Sequence, residues 1–214
     1  MPSGAHEMAL AIDIHLPVTA LTQNQPALTR LIERANAGDA AAFEQIMIHS
    51  QQRVLAITWR ILGNEADARD ASQEVFLRVY KYLKRFNPEQ DFFAWLYGIT
   101  INVCRDIAKK RQRHQARFTS LTETGEAFAV GSDQRGVEEI VQRSQERDLI
   151  ATALTALSYK ERVAVVLRDI EGLSTDEVAR ILKSSATTVR SQISSARKKL
   201  RISCRQQMGR KEQS

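Results

Sequence analysis

Apolar residues recur along most of this chain three and four positions apart, the spacing that gathers them on one face of a helix. Strict alternation, the mark of a half-buried strand, nowhere runs longer than a few residues, so the pattern predicts an all-α protein. Leu28–Asn36 reads as a first helix. After Gly38, Asp39 is placed to cap a long helix to about Leu62 that buries Phe43, Ile46, Met47, Val54, Ile57 and Ile61. Gly63-Asn64 then supplies the residues that a helix C-terminus favours. From Glu65 to about Phe86 a third helix buries Val75, Phe76, Val79, Tyr80 and Leu83, and Asn87-Pro88 ends it. A fourth begins near Asp91 and carries Phe92, Trp95, Leu96, Ile99 and Val103. These four helices are expected to pack as one bundle.

Between Phe118 and Gly136 the helical period lapses into Thr, Ser, Gly and acids, which reads as a linker. A second helical unit starts at Val137, with helices over Ile140–Leu157 and Lys160–Ile170, and ends in a pair of short helices. Ser174 and Glu177 form a capping box at the start of that pair. Val178, Ile181 and Leu182 face inward, and Ala179 is small enough for a crossing helix to approach. The second helix buries Val189, Ile193, Ala196 and Leu200, while Thr187, Ser191, Ser194 and Lys198 lie opposite. From Arg180 to Lys211 there are ten Lys and Arg and no acid. A helix that is apolar behind, hydroxyl-rich in front and basic at its end suits a DNA major groove.

The predicted architecture is therefore two helical domains, an N-terminal bundle and a C-terminal helix-turn-helix domain, joined by a flexible linker. Its boundaries are a tail over 1–27, the bundle over 28–115, the linker over 116–137, the second domain over 138–206 and a tail over 207–214.

Composition sharpens this picture. With 43% hydrophobic residues the 214-residue chain can build real cores, and a net charge of +6 fits a polyanionic partner. Positive charge gathers around Arg105–Arg117 and after Arg180, while Glu65–Glu74 and Glu123–Asp148 lean acidic. Cys104 and Cys204 have no His or Cys near them at ligand spacing, so zinc and a disulfide framework are not expected. No metal or cofactor is called for. The apolar patch Met8–Leu16 holds Asp13 and His15 and is too short to span a bilayer, so a cytoplasmic protein without membrane insertion is expected.

Two constellations carry candidate chemistry. Asp67, Asp70, Gln73 and Glu74 share a helix face turned away from Val75 and Val79. Such a face is a solvated surface, a docking site for a basic partner helix, or a carboxylate cluster for Mg²⁺. Further on, the aromatic run Phe92 to Tyr97 leads into Lys109-Lys110-Arg111-Gln112-Arg113, the ingredients of a single-strand nucleic-acid site. Trp95 shares a stripe with Ile99 and Val103, so its ring is either core or a stacking platform. Asn102, an amide among apolar neighbours at an expected helix irregularity, suits the edge of an exposed base.

In their order and spacing these pieces resemble a bacterial RNA polymerase sigma factor of the extracytoplasmic-function class, group IV of the sigma-70 family. The resemblance rests on Asp39-Ala40-Ala41-Ala42-Phe43, on Asp67 through Tyr80, on Phe93 through Asn102 with its basic run, and on Leu173 through Arg197. It covers about Leu31 to Arg205 and implies a sigma-2 and a sigma-4 domain. It implies that Asp70, Gln73 and Glu74, with Asp67 beside them, dock on the clamp helices of the largest subunit of core RNA polymerase. It also implies that Trp95 and Asn102 meet the −10 element of promoter DNA while Arg105, Lys109 and Lys110 hold phosphates. Thr187, Thr188, Arg190, Ser191, Ser194, Ser195, Arg197 and Lys198 would then face the −35 duplex. The linker would pass near the RNA exit path, and an anti-sigma factor would regulate the protein. Two departures stand out: Gln192-Ile193-Ser194-Ser195 lies where the family commonly carries Arg, and Gly98 where a basic residue is common. Such a protein is not an enzyme.

Two other readings compete. A conventional helix-turn-helix regulator with a ligand-sensing or dimerising bundle accounts for the C-terminal helix pair but not for the acidic face or the aromatic–basic stretch. A metal-dependent nucleic-acid enzyme would need a base or nucleophile that nothing near the acids supplies.

Overall fold

The computed structural model describes the backbone of residues 25–119 and 153–211, and the side chains of 27–113 and 153–203. Nearly all of the expected tail over 1–27 and of the expected linker, and most of the expected Ile140–Leu157 helix, lie outside the described residues. Among the described residues all regular structure is helical, with no strand. The chain forms two compact units that divide between His49 and Ser50.

In the first unit, α1 (Gln25–Asn36) buries Leu28 and Ile32. Gly38 turns the chain at φ +98°, a left-handed conformation that costs glycine little. Asp39 then caps α2 (Ala40–Leu62), its Oδ1 accepting the Ala42 N–H at 3.1 Å. That hydrogen bond and the Arg34 guanidinium hold the Asp39 carboxyl below its usual range. The α2 residues Ala42 and Ile46 are buried, whereas Phe43 and Met47 are only half-buried, not enclosed as their spacing suggested.

The second unit begins with the remainder of α2, where Val54, Ile57 and Ile61 are buried. Gly63 ends the helix at φ +75°, and Asn64 starts α3 (Glu65–Tyr82), accepting the Asp67 N–H at 2.7 Å. The two helices approach over small residues: the Thr58 hydroxyl donates to the Ala68 carbonyl at 3.1 Å and meets Ser72. Buried Ala68, Ala71, Val75, Phe76 and Val79 form the inner stripe of α3. Tyr80, expected inside, is 68% exposed. One residue beyond Val79 rotates about 100° around the helix, which carries the ring off the stripe.

After a 3₁₀ turn (Leu83–Arg85), Asp91 caps α4 (Phe92–Thr119) by accepting the Ala94 N–H at 2.7 Å. Burial on α4 is broader than one stripe and takes in Phe93, Leu96, Tyr97, Thr100, Ile101 and Cys104 besides Phe92 and Val103. The helix runs past residue 115, where the linker was expected to begin, as far as Thr119.

Beyond a helical turn at 153–155, Ser158 and Glu161 cap α5 (Tyr159–Val165) reciprocally. The chain then widens into a π turn (Val166–Ile170) rather than continuing as one regular helix to Ile170. Next come α6 (Thr175–Leu182) and α7 (Ala186–Lys211). The expected capping box at Ser174 and Glu177 forms, and Lys183 makes the connecting turn at φ +51°. The expected core of α7, Val189, Ile193, Ala196 and Leu200, is buried. At 26 residues α7 is a long helix, not the short one anticipated.

Candidate nucleic-acid and partner interfaces

The four polar residues on α3 do not have equal standing. Asp70 and Gln73 are exposed on the outer face. Asp67 is half-buried, takes the Asn64 amide at 2.6 Å and lies 3.4 Å from the Arg111 guanidinium on α4. Glu74 pairs with Arg78 at 2.7 Å, and the same guanidinium reaches Asp106 on α4 at 3.1 Å. These contacts, the Glu74 hydrogen bond foremost, raise the Arg78 pKa. Leu77 and Tyr80, 66% and 68% exposed, extend this outer face with apolar surface. Among the described residues no group of three or more His, Cys, Asp or Glu is placed to hold a metal ion.

On α4 the Trp95 ring is half-buried, with centroids 5.1 Å from Phe86 and 5.8 Å from Phe92. Asn102 is exposed, on an unbroken α-helical turn; the irregularity expected there is absent because Phe92–Thr119 holds its period throughout. Asn102, Arg105 and Lys109 follow at i, i+3 and i+7 on one face, with Lys110 beside them. Arg105 is half-buried while Lys109, Lys110, Arg111 and Arg113 are exposed.

The α7 residues fall into two sets. Thr187, Arg190, Ser191, Ser194 and Lys198 are exposed along one face. Thr188 belongs to the helix start, where its N–H and hydroxyl meet the Ser185 hydroxyl at 3.1 and 2.8 Å. Ser195 and Arg197 are held by the chain itself. The Ser195 hydroxyl donates to Glu161 at 2.6 Å, and Arg197 grips both oxygens of Asp169 at 2.9 and 2.6 Å. Lys199 joins Ser195 on Glu161, and these two donors pull that carboxyl down to about 2. The acids involved lie on α5 and the π turn, 28 or more residues away, so no local pattern announces the pairing.

Sequence reasoning also passed over Glu171. Its side chain is 5% exposed, and it accepts the Tyr97 hydroxyl at 2.9 Å and an Arg60 N–H at 3.3 Å. Arg53 approaches it at 3.4 Å. Nothing in the local sequence distinguishes this glutamate from a solvated one.

Two family models match the chain, Sigma-70 region 2 over residues 46–114 and Sigma-70 region 4 over 147–200. The RNA polymerase sigma-H factor of Pseudomonas aeruginosa is 31% identical over 181 residues, spanning 83% of this chain and 92% of its own. This chain belongs to the extracytoplasmic-function class of the sigma-70 family. A second relative, the extracytoplasmic-function sigma-E factor of Haemophilus influenzae, is 30% identical over 78% of this chain and 89% of its own. The solved structure of CnrH in complex with the cytosolic domain of CnrY shares 26% identity and covers 82% of the chain, with a TM-score of 0.59. The sigma factor RpoE of Bartonella quintana, solved with the anti-sigma factor NepR, has the same fold at 23% identity, with a TM-score of 0.59 over 76% of the chain. The protein is thus a sigma factor that directs RNA polymerase to promoters, in a family of non-enzymatic transcription factors. Region 2 takes in α3 and all of the described side chains of α4; region 4 takes in α5, α6 and the front of α7.

Proposed function

We propose that this sigma factor docks on the clamp of core RNA polymerase through the outer face of α3, with Asp70 and Gln73 as the open contacts and Glu74 and Asp67 behind them. Asn102 reads one exposed base of the −10 element, Trp95 supports it, and Arg105, Lys109 and Lys110 hold the adjoining phosphates. Thr187, Arg190, Ser191, Ser194 and Lys198 face the −35 duplex. Ser195 and Arg197 support α7 from behind, because their polar groups are already engaged by Glu161 and Asp169. The modules follow the boundaries 28–115 and 138–206, and the intervening segment passes through the polymerase. The protein works in the cytoplasm, makes and breaks no bond, and needs no cofactor. Among the described residues no helix is long and apolar enough to cross a membrane.

The observation that carries this reading is the exposure of separate polar faces on α3, α4 and α7, each continuous along its helix. Energetics explain the need for polymerase. Opening DNA costs about 1.4 kcal/mol per base-pair step in stacking, and flipping a base costs a few kcal/mol more. One amide and three cations offset only part of that, so the free protein binds promoter DNA poorly. An anti-sigma factor that occupies both modules belongs to the same proposal; the relative CnrH is solved with the cytosolic domain of CnrY bound.

Run-off transcription from a promoter library with core polymerase tests the reading. Transcripts that depend on the protein and on two upstream elements are expected. No transcript from any promoter, together with a footprint by the protein alone on a palindromic operator, would show a conventional regulator instead.

A further inference from the structure

One glycine on α4 is not explained by the fold. Gly38, Gly63 and Gly172 sit at φ +98°, +75° and +77°, a region that other residues rarely adopt. Gly98 instead lies in the second turn of the unbroken α4, where glycine is the poorest helix former short of proline. Close packing does not ask for it either. A Cβ added at Gly98 would meet nothing within 4 Å outside the helix's own backbone. The chain therefore tolerates a weaker helix here and leaves a gap on a half-buried, outward-facing turn.

That gap lies in the middle of the arc that carries Asn102. Trp95 precedes Gly98 by three residues and Asn102 follows by four, the spacings that make neighbours on a helix surface. Helical side chains lean toward the N-terminus. The Trp95 ring accordingly lies against Phe86 and Phe92, with centroids 5.1 and 5.8 Å away, and clears the space at Gly98. Asn102, leaning the same way, overhangs the bare turn. Helix Cα atoms run at a radius of about 2.3 Å and side chains extend it to about 5–6 Å, so the gap is about 3 Å deep. One base in a stack is about 3.4 Å thick. No charge borders the gap: the next charged residues on this face are Asp91 and Arg105, each two turns away. A neutral seat one ring deep suits the face of a base, while phosphates belong with the cations beyond it.

We propose that Gly98 seats a second unpaired base of the −10 strand, laid flat on the helix backbone beside the base whose edge Asn102 reads. The proposal rests on the α4 reading above and adds a contact made by the absence of a side chain. The seat takes any base, since every base has a flat π-face. Its effect is to fix the path of the strand, so that the neighbouring base meets the Asn102 amide. Any larger residue at this position fills the seat from below.

The test is binding of the holoenzyme to a promoter premelted over the −10 element, with each −10 nucleotide in turn made abasic. Gly98→Ala should raise the melting temperature of the free protein by about 2–4 °C, and Gly98→Gln by less, because both are better helix formers. On the unmodified promoter Gly98→Ala should weaken holoenzyme binding about tenfold, the size of one lost stacking contact, and Gly98→Gln should weaken it more. This penalty should vanish at one abasic position, where no base remains to be displaced. That position should adjoin the one at which Asn102→Ala loses its own penalty. A merely structural glycine would not move stability and promoter binding in opposite directions. Undiminished binding by both Gly98 variants would overturn the seat. So would a penalty that persists at every abasic position, which would put a protein surface over Gly98 in place of a base. If Asn102→Ala shows its position-specific loss in either case, the α4 reading stands without the seat; if it shows none, both fall.

Discussion

Single residues decide here whether a polar side chain stays open to a partner or holds the fold. Ser194 and Ser195 are neighbours of identical chemistry, yet the first is exposed and the second donates to Glu161 at 2.6 Å. One residue of helical rotation separates the two roles. Glu161 itself joins Ser195 and Lys199 on α7 to the start of α5, and this has a pH consequence. Its folded pKa of about 2 lies below its ordinary 4.5, so its contribution to stability is present above about pH 4.5 and is lost as pH falls toward 2. Glu161→Gln should cost about 1–2 kcal/mol at pH 7, discounted because the Lys199 side chain is half in solvent. Thermal melts between pH 6 and 3 check this: the variant should lose less stability on acidification than the wild type. Parallel curves would remove the role given to Glu161.

Helices carry the next level of consequence. The outer face of α3 is one surface only because Asp70, Gln73 and Leu77 recur every three or four residues. Reversing charge at Asp70 and Glu74 together should abolish co-purification with core polymerase, whereas the same reversal at Glu65, one turn earlier, should leave it intact. Retained binding in the double variant would move the docking site elsewhere. The element starts were legible because capping is local: Asp39, Asp91 and Ser174 each sit beside the backbone N–H they satisfy. The π turn at Val166–Ile170 was not legible, since its apolar residues fit an ordinary helix equally well. Tyr80 and Leu77 were misjudged or passed over for a related reason. Period arguments place a residue within a turn, and an aromatic ring at the margin of the stripe falls on either side.

The whole molecule adds an asymmetry between exposed and buried charge. The Arg69–Glu65 pair lies in solvent at 68% exposure of each partner, and such pairs contribute about 0–1 kcal/mol. Arg60 and Glu171 are nearly enclosed. Replacing Arg60 with Met should destabilise the protein by about 3–5 kcal/mol, because it strands a buried carboxylate. Arg69→Met should change the melt by far less. Equal effects of the two substitutions, read by chemical denaturation, would show that Glu171 is not enclosed in solution.

Composition, periodicity and capping residues by themselves determined the helical class, the position of most helix starts and the candidate faces on α3, α4 and α7, and the resemblance of the motifs pointed to the paired regions of a sigma factor. Those features depend on neighbours within a turn or two, and the chain spells them out. Only the tertiary structure decided which members of each face are open and which are spent on internal partners. Ser195, Arg197 and Glu171 bind groups 28 to 111 residues away. A charge or hydroxyl looks the same in sequence whether its partner is water or a buried arginine, and burial, not identity, sets what it does.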